Sequence, residues 1–287
     1  MTPAYQLILA PLRGVTIRTF RAVFAPLIRG AGFTEAVTPF ITAAPGYDPL
    51  KDRETAGGPG EGGILVTPQF IGKDPKALRH CLERVKAAGF STADLNCGCP
   101  FPMVRNKGRG SGLLRTPDVL VRMVETGCEV MGDGNFSVKA RLGIDSPGEL
   151  LSLMPILNGY PLRFLAVHAR TARQMYEGEC DRGAFDEVLA VARMKVVFNG
   201  DARTGERIAG VAGVMVGRSF IRALGERVDI EEWLGKYAEA SARELCGERP
   251  VLGRLKELLS YWKDLPAWRR RWQVAKLARN LRELQIA

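Results

Sequence analysis

Ala93-Asp94-Leu95-Asn96-Cys97-Gly98-Cys99-Pro100 is a short, apolar-leaning run that ends in a polar residue and then turns a tight corner. Gly98 permits close backbone approach, Pro100 fixes φ, and Cys99 is held between them. The pattern puts a side-chain amide and a thiol just past the carboxyl end of a strand, the edge at which parallel α/β proteins carry their chemistry. A thiol placed in this way, outside any disulfide framework, is a candidate proton donor or nucleophile.

The same design recurs along the chain. Eight β-like runs can be read: Leu7–Ala10, Phe33–Val37, Ile64–Phe70, Thr92–Asn96, Phe136–Ala140, Phe164–His168, Val196–Asn199 and Gly213–Val216. Helical patterns separate them at Pro75–Ala88, Pro117–Val130, Pro147–Leu157 and Ala184–Ala192, with a short one near Thr204–Ala209. Strand–helix alternation of this kind means parallel pairing through crossover helices. Eight repeats predict an α/β fold, a (β/α)8 TIM barrel spanning residues 1–228. The stretch 56–63, with five glycines and a proline, reads as a flexible loop.

From about Asp229 the strand signals stop, which predicts a small all-α domain over residues 229–287. Its helices are expected near Ile230–Leu245, Val251–Asp264 and Pro266–Gln285. In the last, Val274, Leu277, Leu281 and Leu284 recur at helical steps and predict one apolar stripe. Arg269, Arg270, Arg271, Lys276, Arg279 and Arg282 fill the other faces, with Trp268 and Trp272 one turn apart. The segment reads either as a solvated basic helix or as a phosphate-contacting one with aromatic neighbours.

The 287 residues carry 41 Lys and Arg against 31 Asp and Glu, a net charge of +10 that favours polyanionic partners. No run approaches the ~18 apolar residues of a membrane helix. The first residues, Met1 to Gln6, lack the layout of a signal peptide. Six scattered cysteines fit a reducing, cytoplasmic setting. Cys97 and Cys99 are too close for a zinc pair and no His pair follows, so no metal site is expected.

Polar residues close most of the strands: Gln69 the third, Asn96 and Cys99 the fourth, Lys139 and Arg141 the fifth, His168 and Arg170 the sixth. Asn199, Gly200 and Asp201 follow the seventh, Gly217 and Arg218 the eighth. Core positions should be apolar, so polar groups at so many strand ends predict one functional rim. Lys139 within a strand needs an acceptor. The last two strand ends match a barrel's phosphate-binding corner, with Arg218 as a bidentate contact. Gly108-Arg109-Gly110-Ser111-Gly112-Leu113 lacks the glycine spacing of a dinucleotide loop and reads as a mobile rim loop.

Taken in order, these motifs resemble the tRNA-dihydrouridine synthase family. They are Leu9-Ala10-Pro11-Leu12-Arg13-Gly14-Val15-Thr16, the Asp94–Pro100 corner, Gly108–Leu114, Val138-Lys139-Ala140-Arg141-Leu142-Gly143, Val167-His168-Ala169-Arg170-Thr171, Asn199-Gly200-Asp201 and Gly213–Arg218. Residues 254–262 are similar to the family's helical tail, and the Asn-Cys-Gly-Cys-Pro form is most like the bacterial branch acting on uridine 16. The resemblance implies FMN-dependent reduction of the C5–C6 double bond of a uridine in tRNA, with NADPH reducing the flavin. It implies Cys99 as the general acid. Pro11, Leu12, Gln69, Lys139, His168, Asn199, Gly200, Asp201, Gly217 and Arg218 would hold FMN. Asn96, Arg141 and Arg170 would face the flipped base or the flavin, and Arg269, Arg270, Arg271, Lys276 and Arg279 the tRNA. The expected form is a monomer.

Two departures stand out. Family members commonly carry a Lys soon after the Gly-Cys-Pro corner, whereas Phe101-Pro102-Met103-Val104 has none and Lys107 comes later. The connection 202–212 and the tail are short, as in a reduced or specialised member. The alternatives are an FMN barrel dehydrogenase of a free small molecule, which would not need the basic tail, and a non-catalytic tRNA-binding paralogue.

Overall fold

Eight parallel strands close a barrel in the computed structural model, which describes residues 5–284. They are β1 (Gln6–Leu9), β2 (Glu35–Val37), β3 in two pieces (Ile64–Thr67 and Gln69–Ile71), β4 (Ala93–Cys97), β5 (Phe136–Gly143), β6 (Leu165–Thr171), β7 (Val196–Asn199) and β8 (Gly213–Val216). Each pairs with the next in parallel, and β1 pairs with β8 to shut the ring. Pro68 has no N–H to give the ladder, which divides β3. Its first piece pairs β2 and its second β4, and the Asp94 N–H donates to the Pro68 carbonyl at 3.0 Å, so the ring is continuous there. The barrel lumen is packed by Ile8, Ala10, Val37, Phe164, Ala166, Val197 and Met215. At its amino end Glu35, 3% exposed, takes both guanidinium nitrogens of Arg163 at 2.7 Å and the Thr67 hydroxyl at 2.6 Å. A carboxylate can be buried there because all its neighbours donate.

The crossover helices are α1 (Arg18–Gly30), α2 (Pro75–Ala87), α3 (Pro117–Met131), α4 (Gly148–Leu157) and α5 (Arg182–Val191), and α6 (Arg218–Leu224) follows β8. Asp74 and Asp181 cap α2 and α5 by accepting the N–H groups of Lys76 and Ala184, both at 2.9 Å. Helix α1, not expected from the sequence, lacks a side-chain cap and carries Pro26 in its interior, yet buries Phe20, Phe24 and Ile28 along one face. The helix expected near Thr204–Ala209 is absent. Those residues form turns around Gly205 and Gly210, both at positive φ. The expected loop at 56–63 instead contains a two-residue strand, Gly60–Glu61, paired antiparallel with the start of β3.

Three helices follow the barrel: α7 (Ile230–Glu244), α8 (Glu248–Ser260) and α9 (Pro266–Ala275). Tyr237 of α7 packs on Phe20 and Phe24 of α1 with ring centroids 6.1 and 5.7 Å away, so tail and barrel share one apolar core. The indole N–H groups of Trp262 and Trp268 donate to the Ile221 and Gly225 carbonyls at 2.6 and 2.8 Å. Burying two indoles removes roughly 300–500 Å² from water, on the order of 8–12 kcal/mol before conformational entropy. Trp268 therefore anchors α9 to α6 and is not a free platform for a nucleotide.

The expected helix over 266–285 ends at Ala275. Asn280 Oδ1 accepts from the Glu283 N–H at 3.0 Å while Glu283 accepts from the Arg279 N–H at 2.7 Å, a side-chain cap at the start of a new turn, Arg282–Leu284. The predicted stripe is broken accordingly. Leu284 is buried, but Leu277 is 74% exposed, and Trp268, Ala275 and Ala278 are buried instead. Gln285, the expected end of that helix, and Met1 to Ala4 of the expected leaderless start lie outside the described residues. Among the described residues no helix is long and apolar enough to cross a membrane. All six cysteines are free thiols.

Candidate active site

The carboxyl ends of the strands open into a cavity of about 490 Å³, within the size range of cofactor sites. Strand register explains which side chains meet there. Asn96 pairs with Lys139, Arg141 with His168, and His168 with Asn199, so consecutive strands deliver a continuous polar layer to one rim.

Cys99 is held from three sides. Asn96 Oδ1 accepts from the Gly98 and Cys99 N–H groups at 3.2 and 2.9 Å. Arg141 Nε donates to the Gly98 carbonyl at 2.9 Å, and the Ser111 N–H and hydroxyl both donate to the Cys99 carbonyl, at 3.2 and 2.9 Å. The thiol is 6% exposed and lines the cavity. Burial pushes its pKa up, against the downward pull of the Phe101 N–H, Arg141, Arg13 and Lys139. The segment 108–113, expected to be mobile, is a buried 3-10 turn (Gly110–Arg115) packed against this corner.

Lys139 donates to Asn199 Oδ1 at 2.8 Å, and Asn199 Nδ2 is anchored on the Met215 carbonyl at 2.7 Å. Burial, then Arg141, lowers the Lys139 pKa to about 8. Arg141 is 1% exposed and, besides Gly98, serves the carbonyls of Thr171 and Met175 at 2.8 and 2.6 Å. Arg141 lines the cavity, with its Nε and one terminal nitrogen committed to these backbone carbonyls.

At the corner formed by β6, β7 and β8, Arg170 donates to Asp201 at 2.6 and 3.1 Å, to the Gly178 carbonyl at 2.6 Å and to Cys180 Sγ at 3.1 Å. It is 2% exposed and does not line the cavity, unlike the expected ligand contact. Asp201, its side chain 52% exposed, does not line the cavity either. Burial opposes its ionisation, yet Arg170 holds its pKa below the usual carboxylate range, and Arg218 approaches the Oδ1 that Arg170 also uses, at 3.4 Å. Since a guanidinium only donates, His168 Nε2, 3.2 Å from Arg170, must be the unprotonated nitrogen. Burial and then the surrounding cations push the His168 pKa well down, so the ring is neutral with its proton on Nδ1. Gly200 has φ 144°, and a Cβ there would sit 2.4 Å from Cys180 Sγ, so only glycine fits.

Pro11, Leu12, Gln69, Asn96, Lys139, Arg141, His168, Asn199, Gly200, Gly217 and Arg218 all line the cavity with Cys99. Four wall residues carry positive charge (Arg13, Lys139, Arg141, Arg218) against one carboxylate, Glu257. Arg269, Arg270, Lys276 and Arg279 are exposed on or just beyond α9, away from the cavity, while Arg271 pairs with Glu231. Several wall residues were not singled out from the sequence. Tyr176 lies between the Arg141 and Arg218 guanidiniums at 5.2 and 5.0 Å, and Arg13 covers Phe40 at 5.4 Å. Glu257 and Tyr261 bring α8 to the mouth. Met175, at φ 53°, is the local signal for Tyr176, a strained residue beside a site, but it is visible only in the structure.

A family model described as dihydrouridine synthase matches residues 8–223. The tRNA-dihydrouridine synthase B of Vibrio cholerae is 32% identical over 223 residues, covering 74% of this chain and 67% of that protein. The tRNA-dihydrouridine(16) synthase of Shigella flexneri is also 32% identical, over 167 residues, covering 55% of this chain and 53% of that protein. Both names thus occur at equal identity, the first over the longer stretch. Among solved structures, morphinone reductase aligns with a TM-score of 0.55 at 13% identity over 76% of this chain and 83% of its own. An old yellow enzyme homologue from Zymomonas mobilis gives 0.55 at 12%, over 76% and 85%. These two likenesses show the TIM-barrel fold. With the family model spanning the whole barrel and its motifs gathered on one rim, the chain belongs to the dihydrouridine synthase family.

Proposed function

We propose that this oxidoreductase reduces the C5–C6 double bond of a uridine in tRNA, with FMN as its flavin and NADPH as the reductant. The observation that carries the reading is a buried, protonated thiol in the wall of a cationic cavity at a barrel's carboxyl rim. The donor set fits FMN: four cations against one acid suit a phosphate-bearing ligand, Gly200 and Gly217 offer backbone without side chains, and Pro11 and Leu12 supply apolar wall. When bound, the flavin would supply a hydride to C6 of the uracil.

The chain's own residues do the rest. Cys99 delivers its proton to C5 from the opposite face. Gln69 and Lys139 meet the flavin's polar edge, Lys139 as an ammonium fixed by Asn199 that stabilises negative charge. His168, Gly200, Gly217 and Arg218 hold the phosphate, with Arg170 and Asp201 fixing that corner. Asn96 lies between the base and the Cys99 amide.

The uridine has to leave its stack to reach the thiol, which asks for a grip on the surrounding phosphates. Exposed Arg269, Arg270, Lys276 and Arg279 offer one on the helical region that follows the barrel. Lys73, Arg105, Lys107 and Arg109, beside the Cys99 corner and paired with no carboxylate among the described residues, offer a second. Lys107 and its neighbours compensate for the Lys missing after Pro100.

The test separates two half-reactions. Cys99→Ala is expected to leave flavin reduction by NADPH within about twofold while slowing uridine reduction by roughly 10²–10⁴. Equal loss of both steps would refute the proton-donor role. A protein that cannot be loaded with FMN would remove the enzymatic reading.

A further inference from the structure

Gln69, Asp94 and Ser137 lie side by side on three adjacent strands, since the register pairs Gln69 with Asp94 and Asp94 with Ser137. All three are 0% exposed, and the chemistry above makes no use of Asp94. They form a chain in which every donor can be deduced. The Gly98 and Cys99 N–H groups can only donate, so Asn96 must meet them with its oxygen. That turns Asn96 Nδ2 toward Gln69 Oε1, at 2.7 Å. Gln69 is left facing Asp94 with its nitrogen, at 2.8 Å, and the Ser137 hydroxyl donates to the other carboxylate oxygen at 2.7 Å. Two backbone donors at one end and a carboxylate at the other therefore fix both amide orientations, which a lone Asn or Gln does not reveal.

We infer that Asp94 is a positioning residue for Cys99, the terminal acceptor of a one-way hydrogen-bond relay that holds the Gly98–Cys99 corner. Its importance for turnover rests on Cys99 being the proton donor, but the relay acts without substrate. In a buried chain of this kind each bond polarises the next, so losing the direction at any point disturbs every member. Asp94 thus reaches the thiol through two side chains and a backbone amide.

Asn96→Asp tests the direction. It puts a second acceptor-only group in the chain, so whichever way Gln69 turns, its oxygen is set against a carboxylate, at position 96 or at Asp94. Hydrogen exchange of the Gly98 and Cys99 amides, read by mass spectrometry in the purified protein, is expected to speed up by about tenfold or more relative to β8. The melting temperature is expected to fall by roughly 5–10 °C. The exchanged pair D94N/N96D reverses the relay with every donor again facing an acceptor, and should recover most of both losses. Asp94→Asn alone keeps an oxygen for Gln69 and turns its nitrogen to Ser137, whose hydroxyl swings to the Ala93 carbonyl 3.3 Å away. Its corner amides should exchange within about threefold of the wild-type rate.

Additive losses in D94N/N96D, its failure to fold, or an Asn96→Asp variant indistinguishable from wild type would each overturn the inference. None of these readouts needs tRNA or NADPH. A wrong role for Cys99 would show instead as uridine reduction surviving Cys99→Ala with the relay intact.

Discussion

Gly110→Ala is a small change aimed at the thiol from behind. Gly110 has φ 58°, and a Cβ there would stand 2.8 Å from the Cys99 Cβ and 3.0 Å from the Cys99 carbonyl oxygen. The left-handed backbone alone costs an alanine roughly 1–2 kcal/mol, and forcing a packed neighbour aside adds roughly 1–3. Neither atom is the free end of a flexible side chain. The corner has to move, and with it the Asn96, Arg141 and Ser111 bonds that fix it. The sum, roughly 2–5 kcal/mol, lowers the melting temperature by about 5–15 °C for a chain of this size. Displacing the donor by a fraction of an ångström should slow uridine reduction about 10- to 100-fold, while flavin reduction by NADPH holds. Stopped-flow absorbance of the two half-reactions, beside a thermal melt, reads both effects. A Gly110→Ala protein that melts within 2 °C of wild type and reduces uridine at the same rate would show that the 110–115 turn does not support the corner.

Three further outcomes are expected. Lys139, held down to about 8, takes up a proton less readily folded than unfolded; the apo-protein's stability should therefore rise as pH climbs from about 8 toward the unfolded lysine value. By the same sign FMN affinity, measured by fluorescence quenching, should weaken from pH 7 to 9, and Lys139→Met should flatten that slope; a flat wild-type profile would remove Lys139 from the flavin. Replacing Arg269 and Arg270 with Ala should reduce the magnitude of the log–log salt slope of tRNA binding by about 1.5, whereas Trp268→Phe should leave the slope alone and cost roughly 1–3 kcal/mol through the stranded Gly225 carbonyl. Replacing Lys107 and Arg109 with Ala should lower tRNA affinity with FMN binding unchanged; loss of FMN binding instead would assign that loop to the flavin.

What could be read from the sequence follows from which forces act locally. β7 and β8 were legible to the residue because each is a short, mostly apolar run between turn signals. α1 was not, because its start lacks a cap and Pro26 interrupts the pattern; its helix is set by Phe20 and Phe24 packing on Tyr237, more than two hundred residues away. α9 failed in the opposite way. Its period was real on paper, but the Asn280–Glu283 cap turned the chain, and Trp268 was drawn into the α6 contact. At the rim, residue type and strand-end position picked out Gln69, Asn96, Lys139, Arg141, His168, Asn199 and Arg218, because a polar group there has few other reasons to exist. They did not pick out Phe40, nor Tyr176, Glu257 and Tyr261, which lie away from the strand ends. They could not separate Arg218, which faces the cavity, from Arg170, which fastens Asp201, since in the sequence both read as an Arg just past an apolar run, although Arg170 is still within β6.

The electrostatics of Cys99 set a condition that an exposed thiol would not meet. Arg13, Lys139 and Arg141 all pull its pKa down, as does the Phe101 N–H, and in open water such neighbours favour the thiolate, which has no proton to give. Burial at 6% exposure outweighs them, so the group rests as the neutral thiol. Once the proton has left, the balance of interactions works the other way: the new thiolate stands among three cations and a backbone donor already in place, with no solvent to rearrange. The cations that would attract the phosphate thus also suit the thiol to giving up its proton, provided water stays out of the corner. Gly110, Ser111 and the Asn96 relay are what keep that corner closed, which is why substitutions at these positions, none of which reacts, are expected to weaken proton delivery before they weaken cofactor binding.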